Sequence, residues 1–246
     1  VEKVVTAERV AALDLSAVRG FTAPIAETIR RTKASLPAHV TMLGFAGAPW
    51  TLACYMVEGR GTKDYAGARG FAYANPEIFS RLIDVLCDAT VDYLSMQIEA
   101  GAEAVQLFDS WAGVLSPAQF SRWVTGPNAR IVAALKDIHP HTPVIAFPRG
   151  AGGNLADFAA RVPCDGISID YTMDIAEARR AVPSLCLQGN LDPLAVASDK
   201  EAMLTQARQI LDTMKGSAHI FNLGHGFVPH TPIDHVEALC ELIRSY

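Results

Sequence analysis

Six short, almost wholly apolar runs separated by long amphipathic stretches limit what this chain can fold into. The runs are 40–45 (VTMLGF), 104–109 (AVQLFD), 143–147 (PVIAF), 166–170 (GISID), 185–188 (LCLQ) and 218–222 (AHIFN). They are near-continuously apolar rather than alternating, the pattern of parallel strands buried on both faces. Between them, 22–35, 117–137, 154–161, 174–181 and 199–215 read as helices. Asn75-Pro76 opens a further long helix, with Phe79, Leu82, Ile83 and Leu86 at helical spacing and Gly101 just past its end. Gly126-Pro127 is expected to break the 117–137 stretch in two. A last helix follows Thr231-Pro232, with Val236, Leu239, Cys240 and Ile243 on one face. Asp234 stands three residues after Thr231, in the manner of a capping box.

Strand–helix repetition with no sustained hairpin signal means an α/β fold. Every strand runs into a loop rich in Gly, Asp, Asn or His, including Asp109-Ser110-Trp111, Asp170-Tyr171 and Gly224-His225-Gly226. Polar groups after all six strands favour a barrel mouth over an open doubly wound sheet, which concentrates its site at one switch point. A closed (β/α)8 barrel needs eight strands, and an unclosed one leaves two edges with unpaired backbone groups. The six runs therefore imply two missing strand–helix units, with the N-terminus the place for them. The absence of an initiator Met before Val1 likewise points to a processed chain or a fragment. No linker-like or low-complexity segment divides the chain, so 1–246 reads as a single barrel domain lacking its first units.

Half of the 246 residues are apolar, enough for a large core, and the net charge is −5. That charge does not attract nucleic acid or an anionic membrane. An anionic substrate needs a local cluster of basic residues instead. The longest apolar stretch, 43–57, is too short to span a bilayer and contains Gly47 and Pro49. It is internal and carries no cleavage pattern, so it is no signal peptide. The five cysteines are scattered and form no CxxC, HxC or HExxH, so neither a disulfide framework nor a metal site is expected. Scattered thiols fit a reducing cytoplasm.

Several residues could carry chemistry, each with a plainer alternative. The Gly-rich turn 150–153, preceded by Arg149, could cradle an anion with its backbone N–H groups, or be only a tight strand-to-helix turn. Phe45 at a strand end and Tyr55 on the following helix could line a cleft, or both could be core aromatics. Asp109 ends a strand, where barrels carry catalytic groups, but could simply pair with a basic neighbour; Ser110 could cap local backbone. His225 sits between Gly224 and Gly226, which permit unusual backbone angles and close approach of a ligand. It could donate to an anion or be satisfied by the loop.

Taken in order, GFAGAPWTLACYMVEG (44–59), LFDSWAG (107–113), LQGNLDP (187–193) and FNLGHGFVPHTP (221–232) resemble the uroporphyrinogen decarboxylase family. PVIAFPRGAG (143–152) and GISIDYTMD (166–174) match it more weakly, and the likeness runs from about residue 20 to the C-terminus. The resemblance implies a (β/α)8 barrel that converts uroporphyrinogen to coproporphyrinogen by removing four acetate carboxyls as CO2 in heme biosynthesis. It implies no cofactor and no metal, and a cytoplasmic homodimer with a tetrapyrrole as its small-molecule partner. Carried over position by position, Tyr55 matches a tyrosine that contacts substrate, Ser110 a serine that binds a substrate carboxylate, and His225 a histidine near the acidic side chains. Phe45 matches an apolar contact to the macrocycle. Asp109 receives no role.

The family also carries an N-terminal segment of about a hundred residues with carboxylate-gripping arginines and a catalytic strand-end Asp, by the same resemblance. None of these has a counterpart here, so no catalytic residue is assigned with certainty. Two alternatives stand beside a decarboxylase. One is an inactive fragment or non-catalytic partner. The other is a corrinoid or coenzyme M methyltransferase, which the absence of an HxC pair disfavours. The resemblance therefore implies that the 246-residue chain by itself binds uroporphyrinogen weakly and turns it over negligibly. An anaerobic assay of the isolated chain checks this, and normal decarboxylation would contradict it.

Overall fold

In the computed structural model, which describes residues 3–246, the chain falls into two compact units, one ending at Cys164 and the other running from Asp165 to Tyr246. In the first unit, a short helix α1 (Ala7–Ala11) and a long helix α2 (Val18–Ser35) precede strand β1 (Leu43–Gly47). Helices α3 (Pro49–Glu58), α4 (Ala66–Ala74) and α5 (Pro76–Glu99) lead to β2 (Ala104–Asp109). Then α6 (Pro117–Phe120) and α7 (Gly126–Ile138) lead to β3 (Val144–Pro148), which α8 (Leu155–Arg161) follows.

The second unit alternates in the same way. Strand β4 (Gly166–Ser168) is followed by α9 (Ile175–Ala181), and β5 (Cys186–Leu191) by α10 (Pro193–Ser198) and α11 (Lys200–Met214). Strand β6 (His219–Leu223) and α12 (Ile233–Arg244) complete it. Pairing within each unit is parallel throughout, with Leu43 to Gly47 in register with Ala104 to Phe108, and Val105 to Asp109 with Val144 to Pro148. In the second unit β5 pairs with both β4 and β6. The α/β class and the six strands expected from the sequence are thus present among the described residues.

Burial on both faces holds for β2 to β5 but not for β1 and β6. Leu43 and Phe45 of β1 and Ile220 of β6 are exposed while their neighbours alternate inward. Alternating accessibility marks a strand covered by helices on one face only. The Gly44 side of β1 lies against α5. A Cβ on Gly44 would stand 2.8 Å from Oε1 of Gln97, so only glycine leaves room for that amide. The Gln97 side chain grips the backbone of β1. Its Oε1 accepts from Phe45 N–H and its Nε2 donates to Phe45 C=O, both at 2.9 Å.

Other details depart from sequence expectation for local reasons. The first strand begins three residues late, which puts Phe45 at its centre rather than its end. Gly126-Pro127 does not interrupt the chain of helices. A wide turn over Ser121–Thr125 joins α6 to α7, with Gly126 N–H bonding back to Ser121 C=O, so Pro127 falls in the first turn of α7, where no N–H is needed. Asn75 occupies the N-cap of α5 but makes no side-chain cap bond. Thr231 does not form a capping box, because its hydroxyl donates to Val228 C=O and Pro232 is the N-cap of α12. Cys240 is exposed rather than part of the inner face, which Leu239 anchors.

The core of the first unit centres on Phe79, one of four residues of α5 expected inward and all found buried. Its ring meets Trp123 edge-on at 4.9 Å, Trp50 at 5.8 Å and Phe71 at 6.1 Å. These contacts join α3, α4 and α5 to the turn before α7. Replacing Phe79 with Ala removes the shared ring and leaves a cavity too enclosed to collapse, at a cost of about 3–5 kcal/mol. Chemical denaturation of the F79A variant measures this, and a loss below about 1 kcal/mol would show that the cluster does not hold these helices together.

Candidate active site

Parallel pairing brings the C-terminal ends of β1 and β2 side by side, and Ala48 N–H donates to Phe108 C=O across the junction at 2.8 Å. The chain then turns at once into α3, with Pro49 in its first turn. Thr51 and Tyr55, four residues apart, therefore share one face of α3. That face, the outer side of β1 and the end of β2 enclose a cavity of about 370 Å³ lined by Phe45, Gly47, Thr51, Tyr55, Phe108 and Ser110. Three of the four residues to which the resemblance gives substrate contacts thus line one cavity. Phe45 is 64% exposed there, with its ring edge-on to Phe108 at 6.0 Å. Tyr55 is 42% exposed, and Ser110 is half-buried on the turn leaving β2. The core reading of Phe45 and Tyr55 does not hold.

His225 lies in the second unit, exposed on the loop after β6. Gly224 beside it is glycine because the chain passes close to other backbone. A Cβ there would stand 2.2 Å from Tyr171 N and 2.8 Å from its Cα, so the constraint is protein packing and not room for a ligand. The turn 150–153 is tied to the loop after β2, with Gly113 N–H donating to Arg149 C=O at 2.9 Å and Arg149 N–H to Asp109 C=O at 3.2 Å.

Behind the cavity lining lies Asp109, fully buried at the end of β2. Thr51 Oγ1 donates to one carboxylate oxygen at 2.7 Å, and Asn128 Nδ2 of α7 approaches the other at 3.3 Å. Thr51 Oγ1 also accepts from Trp111 N–H at 3.3 Å, and the indole of Trp50 donates to Trp111 C=O at 3.0 Å. The Trp111 indole N–H in turn donates to Tyr55 Oη at 3.1 Å. Tyr65 packs beneath, its ring 4.7 Å from Trp111 and 5.9 Å from Tyr55. Burial and the neighbouring Tyr55 hydroxyl push its phenol upward. Sequence reading missed Thr51, Tyr65, Trp111 and Asn128. Thr51 and Trp111 lie inside the quoted motifs, but their roles depend on contacts between residues about 60 apart.

Among the described residues, no group of three or more His, Cys, Asp or Glu side chains is placed to hold a metal ion. Nor is any helix among them long and apolar enough to cross a membrane.

The model of the family described as uroporphyrinogen decarboxylase (URO-D) matches residues 1–246. The chain belongs to that family. A uroporphyrinogen decarboxylase from Sphingopyxis alaskensis is 54% identical over 223 residues, which cover 90% of this chain and 65% of the relative. One from Granulibacter bethesdensis is 51% identical over 237 residues, covering 95% and 69%. The chain thus spans about two thirds of the length of these curated relatives. Among solved structures, a B12-independent methionine synthase from Shewanella sp. W3-18-1 superposes with a TM-score of 0.63 at 10% identity, covering 90% of this chain and 67% of that one. A putative B12-independent methionine synthase from Listeria monocytogenes gives 0.61 at 15% identity, covering 90% and 68%. At such identities the likeness is one of fold alone. Membership of the decarboxylase family rests on the family model and the close relatives.

Burial pushes the Asp109 carboxyl up to about 7, outweighing the opposing pull of the Thr51 and Asn128 hydrogen bonds. The folded state therefore holds a proton that the unfolded chain gives up near pH 4. Below that pH both states are protonated and the full stability is present. As pH rises from about 4 towards 7 the unfolded state binds fewer protons than the folded one, and stability falls, by as much as about 4 kcal/mol for this group. In D109N this loss is absent. Denaturation midpoints of both forms between pH 5 and 8.5 should show the wild type losing more stability on the alkaline side. Parallel pH profiles would mean that Asp109 stays ionised throughout.

Proposed function

We propose that the protein carrying this chain is a uroporphyrinogen decarboxylase, removing the four acetate carboxyls of uroporphyrinogen as CO2 to give coproporphyrinogen in heme biosynthesis. The observation that supports this most is the family match along the whole chain, together with a cavity at the β1 and β2 strand ends lined by Phe45, Tyr55 and Ser110.

The chemistry suits such a cavity. Breaking the bond between an acetate methylene and its carboxylate releases CO2 and leaves an electron pair on the methylene carbon. A pyrrole ring protonated on carbon accepts that pair. A second proton then converts the methylene to methyl, and the ring carbon gives up the proton it first took, so that aromaticity returns and one proton is consumed for each CO2 released. The substrate is its own electron sink, so the reaction requires no further cofactor. The protein has to place the ring, shield the charge and deliver protons. In this reading the exposed Phe45 ring packs against the macrocycle, the Ser110 hydroxyl donates to a substrate carboxylate, and Tyr55 contacts the substrate from α3. His225 serves the acidic side chains. The same reading makes the protein a cytoplasmic homodimer, and five cysteines with no disulfide among them suit a reducing compartment.

Loss of one charge-assisted hydrogen bond to a carboxylate costs about 1.5–3 kcal/mol, or roughly tenfold to a hundredfold in kcat/KM. The intact protein bearing S110A should lose that much in an anaerobic assay of uroporphyrinogen with chromatographic analysis of the products. H225A should slow turnover or change which partly decarboxylated intermediates accumulate. Wild-type protein that leaves uroporphyrinogen unconsumed would remove the proposal. Unchanged kinetics in S110A and an unchanged product profile in H225A would remove the roles given to those two residues.

A further inference from the structure

A threonine hydroxyl has one proton to give and two lone pairs to fill, so its neighbours decide where the proton points. Thr51 Oγ1 stands 2.7 Å from Asp109 Oδ1 and receives the Trp111 N–H at 3.3 Å. With Asp109 ionised, the Thr51 proton is drawn inward to the carboxylate. With Asp109 neutral, the carboxyl has to carry its own proton on one of its two oxygens. Oδ2 faces the amide nitrogen of Asn128 at 3.3 Å, and that nitrogen also donates to Val124 C=O at 2.8 Å, which fixes the orientation of the amide. A proton on Oδ2 would meet a donor, so it sits on Oδ1 and is given to Thr51. Both lone pairs of Thr51 are then filled, and its proton turns to the side that remains, the cavity that Thr51 lines with Ser110. We propose that Thr51 is a further substrate-binding residue, a donor to a ligand oxygen such as a tetrapyrrole carboxylate, and that Asp109 is the positioning residue that switches this donor on when neutral and off when ionised. The inference rests on the reading of the cavity as the tetrapyrrole site.

The carboxyl is sealed off while the hydroxyl is not. Asp109 is fully buried, whereas Thr51 keeps 7% of its surface open, so a ligand oxygen reaches the hydroxyl and not the acid behind it. Burial holds the Asp109 carboxyl up at about 7, so both settings of the hydroxyl are populated around neutral pH. Beside burial, the forces on this carboxyl are hydrogen bonds from Thr51 on α3 and Asn128 on α7, none of them from a charged side chain. From β3 the residue in register with it is Pro148, which does not titrate. Cys54, three residues along α3 from Thr51, feels the Asp109 charge, but burial pushes its thiol far up and keeps it neutral. The donor is therefore available below about pH 7 and is withdrawn as the pH rises through that value.

The test compares the KM for uroporphyrinogen among variants of the intact protein at pH 6 and again at pH 8.5, so that groups common to all of them cancel. T51V keeps the side-chain shape and loses the hydroxyl. At pH 6 its KM should lie about tenfold above that of the wild type, the worth of one hydrogen bond, and at pH 8.5 the two should converge. In D109N the amide oxygen faces Asn128 and the NH2 group faces Thr51, which holds the donor on. At pH 8.5 this variant should therefore have a KM about tenfold below that of the wild type. T51S restores the hydroxyl and should restore the pH dependence. A T51V protein that matches the wild type at pH 6, or a D109N protein no tighter than the wild type at pH 8.5, would overturn the proposal. A readout in the free protein separates it from the proposed activity. The carboxylic C=O stretch of neutral Asp109, identified in infrared difference spectra by its absence from D109N, should shift in T51V, where its O–H loses its acceptor. An unmoved band would overturn the Asp109–Thr51 link even in an active enzyme. Should wild-type protein neither bind nor convert uroporphyrinogen, the functional reading falls while the band still decides that link. If T51V does not fold, T51A carries the same expectations.

Discussion

One buried carboxyl joins the three elements that make the cavity. Asp109 ends β2, takes a hydrogen bond from Thr51 on α3, and is approached by Asn128 on α7. Burying a carboxyl is costly unless its oxygens are satisfied, and two partners do not offset the lost hydration, which is why its proton is held so firmly. The arrangement is specific because it is costly. A helix rotated or a strand slipped by one residue would leave the carboxyl with no partner at all. The positions of Ser110 and Trp111, the next two residues, follow directly from it.

Parallel pairing does the rest of the positioning. It places the ends of β1 and β2 together, and the immediate turn into α3 swings Thr51 and Tyr55 over those ends. The aromatic packing of Phe79 with Trp50 and Trp123 holds α3 against α5 from the far side. The wall that carries Tyr55 is therefore supported by apolar packing on one side and directed polar bonds on the other. Tyr55 itself retains exposure because nothing of its own unit covers the cavity mouth among the described residues.

Much of this was legible in the sequence, and the limits are physical. The apolar runs mark the strands because full burial leaves no room for polar alternation, which is true of β2 to β5. It fails at β1 and β6, whose apolar residues face outward on one side. No local pattern separates a buried leucine from the exposed Leu43. Phe45, Tyr55 and Ser110 stand out in the sequence because each lies in a contiguous motif, Phe45 in the middle of β1, Tyr55 on α3 and Ser110 just past β2. Asp109 drew attention as a strand-end acid, but its function as a tie between elements depends on Thr51 and Asn128, which sequence distance conceals. Trp111 was written in the motif, yet only geometry shows that its indole, and not its ring face alone, meets Tyr55. The expected break at Gly126-Pro127 failed because the chain could widen one turn instead of stopping.

The amide of Gln97 has a further consequence. By taking both the N–H and the C=O of Phe45, it imitates the hydrogen bonding of a neighbouring strand at one residue of β1. Gly44, left bare of a Cβ, makes the room through which that buried amide reaches the strand. A single side chain thus satisfies two backbone groups of the strand at once, and does so at the residue whose ring lines the cavity, so that α5 as well as the sheet sets where that ring stands.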